Sequence, residues 1–166
     1  MLKPALFYKE EILREISNYI YNEDMFLYTG TLGFYTPNFE NNDDGTLYQY
    51  AIVNGEKVIG YFTYHVDWYT SCANNFGLFS FDRGNKTVGI DVYREIRKLI
   101  CSYKIHRVEW RMISGNPVEK HYDKFCEKYN RHKHILKDAI RDRQGYYHDD
   151  VIYEIILCEG RTNETD

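Results

Sequence analysis

Apolar side chains recur at helical intervals near the start of the chain. Between Glu10 and Tyr21 they are separated by polar residues and occur at Ile12, Leu13, Ile16, Tyr19 and Ile20. Intervals of this kind place the apolar side chains on one face of a helix. We therefore predict an amphipathic helix over this segment.

A strand-like pattern follows in the middle of the chain. Two runs rich in β-branched and aromatic residues, Tyr48–Val53 and Lys57–Val66, flank Asn54-Gly55-Glu56, and this arrangement predicts a hairpin. A third strand is predicted from about Phe76 to Phe81, which completes an antiparallel meander. The acidic, turn-rich run Asn38–Gly45 before them predicts either an exposed loop at the mouth of a site or a solvated linker.

The period becomes helical again after Asp82-Arg83-Gly84-Asn85. The apolar residues beyond this segment share one face of a helix that begins near Lys86; they are Val88, Val92, Ile96, Leu99, Ile100 and Tyr103. Alternation from His106 to Met112 then predicts a strand. Strand, helix and returning strand form a βαβ unit, and its right-handed connection places the helix across one face of the sheet.

The C-terminal part predicts one more helix and a second hairpin. Asn116-Pro117-Val118-Glu119 suits a helix start, because Asn is a good N-cap and Pro fits the first helical position. The helix turns Val118, Tyr122, Phe125 and Tyr129 inward. The runs His134–Arg141 and His148–Leu157 surround the turn Arg143-Gln144-Gly145. Together the elements predict an α/β fold of the α+β kind, with a mixed, mostly antiparallel sheet flanked by helices.

Length and composition favour one domain. A chain of 166 residues with 43% hydrophobic composition can bury one core and is too short for two ordinary domains. We assign residues 1–158 to a single domain and the polar residues 159–166 to a disordered tail. The sequence shows neither a secretory signal pattern nor the roughly 18 consecutive apolar residues of a membrane span, so we expect a cytoplasmic protein without a membrane partner.

Charge and metal-ligating residue types make two functional classes unfavourable. A formal net charge of −4 argues against binding a phosphate backbone, so nucleic acid is not expected as a partner. The cysteines are scattered and lack C-x-x-C pairing, which favours reduced thiols; they are Cys72, Cys101, Cys126 and Cys158. The pair His132 and His134 has no third ligand in the pattern, and no metal site is predicted.

Three motifs, in this order, resemble the GNAT superfamily of acyl-CoA-dependent N-acyltransferases. The segment Asn85-Lys86-Thr87-Val88-Gly89-Ile90-Asp91-Val92 is similar to the phosphate loop of the family. Asn116–Phe125 resembles its helix with an early asparagine and a later tyrosine. Leu136–Ile155 is similar to the closing hairpin of the branch that includes the ribosomal-protein N-terminal acetyltransferases. The resemblance extends from Tyr48 to Leu157 and implies a sheet whose central strands splay apart.

The resemblance implies a site for acetyl-CoA at the start of the helix near Lys86. The free amides and the dipole of a helix N-terminus suit a pyrophosphate, and the residues implied there are Arg83, Lys86, Thr87, Val88, Gly89 and Ile90. Backbone groups of Phe79, Ser80 and Phe81 are implied to hold the pantetheine arm and to polarise the thioester carbonyl. Asn116 is implied to lie near the same arm.

The implied reaction is direct attack of a primary amine on acetyl-CoA in a ternary complex. Such a transfer moves one proton off the amine and another onto the departing thiolate. The resemblance makes Tyr122 the acid for the thiolate. Asp67, Asp82 and Glu109 are candidate bases, directly or through water, although positioning of the reactants can suffice without a base.

Several acceptors are compatible with this reaction. They are a protein N-terminus, a lysine side chain, an aminoacylated tRNA and a small amine, and the acidic loop Glu40–Asp44 would suit a cationic one. A homodimer is also compatible with the resemblance. A tRNA-modifying toxin of this fold would need a basic substrate face, which the net charge does not support.

The alternative to an enzyme is an inactive binding or regulatory domain of the same fold. Two departures from the phosphate loop favour it: Gly84 stands where the family has glutamine or arginine, and Thr87 replaces the first glycine. Arg83-Gly84-Asn85 is then a polar turn that caps a helix. Likewise, Tyr122 is then a core tyrosine and Asn116 only an N-cap.

Overall fold

The computed structural model describes residues 1–19, 27, 37–39, 45–127, 129 and 131–157. These residues form seven strands and three α-helices, in the order β1 (Leu2–Pro4), α1 (Lys9–Tyr19), β2 (Leu47–Asn54), β3 (Lys57–Asp67), β4 (Cys72–Ser80), α2 (Lys86–Cys101), β5 (Arg107–Ile113), α3 (Glu119–Glu127), β6 (Arg131–Arg141) and β7 (Tyr147–Ile156). The acidic loop 40–44, the end of the first predicted helix at 20–21 and the tail 159–166 lie outside the described residues.

All seven strands belong to one sheet, in the order β1-β2-β3-β4-β5-β7-β6. Neighbouring strands are antiparallel except for the central pair β4 and β5, which is parallel. The helix α2 connects these two strands, as the predicted βαβ unit requires. The predicted mixed, mostly antiparallel sheet with flanking helices is confirmed.

The two faces of the sheet have separate hydrophobic cores. On β2, the adjacent residues Ala51 and Ile52 are both fully buried, but they belong to different cores because successive side chains of a strand point to opposite faces. Ile52 faces the core built with α2 and α3, whereas Ala51 faces the smaller core built with Ile12 and Ile16 of α1. Helices therefore cover both faces of the sheet.

The structure shifts the predicted start of three elements. β6 begins at Arg131, three positions before the predicted His134. β4 begins at Cys72, four positions before the predicted Phe76, because a β-bulge interrupts its alternation: Thr63 pairs with Gly77 but His65 pairs with Asn74. The helix α3 begins at Glu119, although Asn116 does cap this turn, accepting a hydrogen bond from the amide of Val118 at 3.1 Å. Among the described helices, none has the length and apolar character needed to cross a membrane.

Candidate active site between two diverging strands

The central strands β4 and β5 are paired over only a short distance. Their ladder consists of two residue pairs, Cys72 with Arg107 and Ala73 with Val108. Directly after these pairs β4 bulges, and Asn75 adopts a left-handed backbone with φ 53°. A bulge bends and twists its strand, and beyond it the two strands diverge toward their carboxyl ends. The predicted splay of the central strands is confirmed.

A cleft fills the gap between the diverging strands, with a cavity volume of about 150 Å³. Aromatic and aliphatic side chains from β3, β4, β5 and α2 form most of its wall, including Phe62, Phe76, Trp110 and Met112. An apolar cleft with a few polar groups is typical of a cofactor site. Several predicted site residues line it, namely Phe79, Ser80, Phe81, Arg83, Asn116 and Tyr122.

At Ser80 the backbone amide and carbonyl of β4 point toward the cleft. The amide of Phe81 donates to the carbonyl of Ile59 on β3 at 2.9 Å, and its carbonyl accepts from the hydroxyl of Tyr19 at 2.8 Å. Hydrogen-bonded and free residues alternate along an antiparallel pair, so the backbone of Phe79 also faces β3. Ser80 lies between these two residues, and its amide and carbonyl point to the open side.

The start of α2 has its own cap. The side chain of Asn85 accepts a hydrogen bond from the amide of Thr87 at 3.0 Å and donates one to the carboxylate of Asp82 at 2.8 Å. Gly84 before the cap has φ 91°, a conformation that favours glycine. A phosphate bound here would have to replace Asn85 as the hydrogen-bond acceptor of the Thr87 amide.

The first turn of α2 contains the other predicted phosphate-binding residues. Lys86, Thr87, Val88, Gly89 and Ile90 lie at or beside this turn and outside the cleft wall, while Arg83 lies at the rim of the cleft. A Cβ atom added at Gly89 would have no neighbour within 4 Å among the described residues. The surface around Gly89 is therefore open.

Tyr122 of α3 faces the cleft from the side of the larger core. Its ring packs edge-on against the rings of Trp110 and Tyr153, each at 5.7 Å between centroids. No residue that the structure describes forms a hydrogen bond with its hydroxyl. Burial raises the pKa of Tyr122 to about 12. The hydroxyl therefore keeps its proton at neutral pH and can donate it to a group in the cleft.

Asn116 holds two chain segments together at the edge of the cleft. Its side-chain oxygen accepts from the amide of Val118 in the turn before α3, and its side-chain nitrogen donates to the carbonyl of Leu27 at 3.1 Å. Only 9% of this residue is exposed. Asn116 therefore caps the turn that leads into α3 and not the first turn of the helix itself, while its contact with a cofactor stays a prediction.

The three candidate bases have local structural partners instead of a place in the cleft wall. Asp67 lies at the far end of β3, where it accepts hydrogen bonds from the hydroxyl and amide of Thr70 and the amide of Tyr69. These hydrogen bonds, above all those of Thr70, hold the pKa of Asp67 below its usual value. Glu109 forms an ion pair with Arg107, and Asp82 holds the cap at Asn85. Among the described lining residues there is no carboxylate.

Arg111 of β5 also lines the cleft and was not predicted from the sequence. Its guanidinium forms an ion pair with Asp150 of β7, a residue that is only 4% exposed. In the sequence Arg111 stands in the same alternation as Arg107, and the pattern does not distinguish the two arginines. The divergence of β4 alone exposes Arg111 to a cleft.

No protein-family model matches the sequence, and no curated protein sequence matches it either. Solved structures do match the fold. An N-acetyltransferase from Staphylococcus aureus Mu50 is 16% identical, and the match covers 95% of this chain and 98% of that chain with a TM-score of 0.68. The microcin C7 self immunity acetyltransferase MccE, solved with acetyl-CoA and AMP, is 17% identical over 94% of this chain and 91% of its own, with a TM-score of 0.65.

A further solved structure, named probable acetyltransferase, is 16% identical, with a TM-score of 0.53. That match covers 68% of this chain and 63% of the other, so the chain spans less than two thirds of that protein. At such identities a structural likeness establishes the fold and leaves function to be argued from the site. The chain has the fold of the GNAT acetyltransferases.

Proposed function

We propose that the protein is an N-acetyltransferase that binds acetyl-CoA in the cleft between β4 and β5 and transfers its acetyl group to a primary amine. The divergence of these strands after two residue pairs carries the proposal. It leaves Ser80 without a β5 partner among the described residues, and both Ser80 and Tyr122 line the same cleft. The complex of MccE with acetyl-CoA supports it, because that protein shares the fold.

In this proposal the cofactor runs from the thioester near Ser80 to the start of α2. The amide of Ser80 donates to the thioester oxygen, on which negative charge develops during attack. Asn116 lies beside the pantetheine arm, and Arg83 adds positive charge near the phosphates. The phosphates themselves bind at the first turn of α2, at Lys86, Thr87, Val88, Gly89 and Ile90, after the cap of Asn85 opens.

The chemical step follows from this placement. The amine nitrogen forms a bond to the thioester carbon, and the carbon–sulfur bond breaks as the tetrahedral intermediate collapses. The hydroxyl of Tyr122 gives its proton to the departing thiolate and regains one from water. The amine loses its proton to water, since Asp67 and Glu109 lie outside the described cleft wall.

Three classes of acceptor are compatible with the proposal: a protein N-terminus, a lysine side chain and a small amine. The closing hairpin β6–β7 favours the branch of the ribosomal-protein N-terminal acetyltransferases, through its resemblance in sequence. We place the activity in a single domain over residues 1–158 that works in the cytoplasm.

Calorimetric titration with acetyl-CoA tests the proposal directly. We expect saturable binding with one site per chain, and release of free CoA when a suitable amine is added. Desulfo-CoA, which retains the phosphates and lacks the thioester, is the control ligand for binding without acetyl transfer. Absence of acetyl-CoA binding at millimolar concentration would overturn the proposal.

One observation favours a second candidate, an inactive domain of the same fold. The amide of Thr87, which a cofactor phosphate would need, is already bound by Asn85, and the carboxylate of Asp82 lies against that cap. A negative charge at this place disfavours an anion. An Asp82→Asn variant discriminates between the candidates: it should tighten acetyl-CoA binding if the start of α2 receives phosphates, and it should leave a non-binding domain without affinity.

A further inference from the structure

Both charged residues of the described cleft wall are arginines, Arg83 and Arg111. No carboxylate and no lysine is among the described lining residues. The chain as a whole carries a formal charge of −4, so the cleft differs from the average surface. An apolar cleft with cationic groups favours a ligand that carries negative charge. The described wall therefore offers no carboxylate to a purely cationic acceptor.

The two arginines lie at different places in the cleft. Arg83 follows β4 just before α2, close to the proposed phosphate site. Arg111 lies on β5 directly after Trp110, whose ring contacts Tyr122 at 5.7 Å between centroids. Arg111 is thus the cation near the reacting end of the proposed site.

Arg111 also emerges on the other face of the sheet. Trp110 and Met112 are buried in the core with α2 and α3, and the alternation of the strand turns Arg111 away from that core. The proposed acid Tyr122 belongs to the α3 side. In the proposed placement, an amine that adds to the thioester carbonyl from the side away from Tyr122 approaches from the face of Arg111.

Asp150 fixes the position of the Arg111 guanidinium. One carboxylate oxygen of Asp150 pairs with a terminal nitrogen of Arg111, and the other has no hydrogen-bond partner among the described residues. A guanidinium has five N–H donors in a planar fork. Asp150 occupies one end of the fork, and no other described residue accepts from it, while the half-exposed side chain opens to the cleft.

We infer that Arg111, positioned by Asp150, selects an acceptor that carries a carboxylate or phosphate group close to its reacting amine. The inference rests on the proposed function, and it assigns the acceptor class that the sequence left open. A planar guanidinium binds both oxygens of such an anion with parallel hydrogen bonds. The anion then anchors the acceptor while its amine reaches the thioester carbon.

The test compares amines that differ in the anionic group alone: O-phosphoethanolamine with ethanolamine, and β-alanine with β-alaninamide. Each is titrated by calorimetry into the protein saturated with CoA, and its acetylation is followed with acetyl-CoA. We expect the anionic member of each pair to bind at least tenfold more tightly. Arg111→Gln should abolish this preference, and Arg111→Lys should keep part of it.

The control is Arg107→Gln, on the same strand and the same sheet face but outside the cleft, which should keep the preference. Because Arg111→Gln leaves a buried carboxylate unpaired, the double variant Arg111→Gln/Asp150→Asn is measured as well and should also lose the preference. Asp150→Asn alone should raise the KM of the anionic amines with little change in kcat.

Equal binding of both members of each pair by the natural protein would overturn the inference. It would also be overturned if Arg111→Gln weakened acetyl-CoA binding and left the amine preference unchanged, since Arg111 would then serve the cofactor. In either case intact acetyl-CoA binding would leave the proposed function standing. Failure of the proposed function shows separately, as absence of acetyl-CoA binding in the natural protein.

Discussion

At one end of the β4–β5 pair the strands are joined by ladder hydrogen bonds, and at the other end they stand apart around the cleft. The joined end contains Ala73 and Val108, both essentially inaccessible to solvent. The amides of His106 and Arg107 add hydrogen bonds to the hydroxyl and carbonyl of Ser71 there. At the open end, Ser80 and Arg111 face a cleft instead of each other.

This difference shows how one pair of strands supplies both stability and a site. The bulge at Asn75 changes the direction of β4, and asparagine tolerates the left-handed backbone better than most residues. Val92 and Ile96 of α2 lie at the cleft and support the separated strands. Substitutions at the joined end should therefore change stability, and substitutions at the open end should change binding and catalysis.

The largest expected effect is that of Tyr122→Phe at the open end. Loss of a general acid typically lowers a rate by about 10²-fold to 10⁴-fold, and we expect kcat to fall within this range while the acetyl-CoA affinity stays within about threefold. Steady-state kinetics and calorimetry give the two quantities. Tyr129→Phe, a tyrosine outside the cleft wall, is the matched control, and an unchanged kcat for Tyr122→Phe would remove Tyr122 as the acid.

Next in size is the effect of Val108→Ala at the joined end. Removing two buried methyl groups and leaving a cavity should cost about 2 kcal/mol of unfolding free energy, measured by urea denaturation. The comparison at the open end is Leu78→Ala, where the cleft already adjoins the side chain; although it removes three carbon atoms, it should cost less than Val108→Ala. Equal losses at both positions would contradict the contrast between the two ends.

Gly89→Ala should have smaller effects of opposite sign on stability and on acetyl-CoA affinity. Alanine is the better helix former by about 1 kcal/mol, and the added Cβ has no neighbour within 4 Å among the described residues, so the unfolding free energy should rise. If phosphates bind against Gly89, the same methyl group should weaken acetyl-CoA binding. A stabilised variant with unchanged affinity would place the phosphates elsewhere.

The smallest expected effect is a loss of stability in alkaline solution. Burial raises the pKa of Tyr61 and of Tyr122 to about 12, compared with about 10 in an unfolded chain. Between pH 10 and 12 the folded state therefore binds more protons, and the unfolding free energy falls as the pH rises; below pH 10 this stabilisation is complete. Tyr61→Phe should reduce the loss by about 1 kcal/mol at pH 11, and urea denaturation of both proteins at pH 9 and pH 11 measures it.

Local patterns predicted most of the fold and a part of the site. Alternation and the Asn54-Gly55 turn located β2 and β3 to within a residue at each end. The strand β1 gave no such signal, because its three residues are held by pairing with the distant β2. The start of β4 was missed because its bulge breaks the alternation.

Within the site, motif resemblance pointed to Tyr122 and Asn116. Which other side chains lie at the cleft depends on the three-dimensional packing of the fold. Asp67 and Glu109 carry suitable carboxylates, but the fold places them with Thr70 and Arg107 outside the cleft wall. Arg111 owes its place in the cleft to the direction that β4 takes after its bulge, which depends on tertiary packing and leaves no mark on the sequence near Arg111.

A crystal structure of the protein grown with acetyl-CoA tests the central claim most directly. The thioester should lie between Ser80 and Met112, with its oxygen near the Ser80 amide and its sulfur within hydrogen-bonding distance of the Tyr122 hydroxyl. Its pyrophosphate should lie at the first turn of α2. A cleft without cofactor in crystals grown at saturating acetyl-CoA, or acetyl-CoA bound away from β4 and β5, would contradict the account.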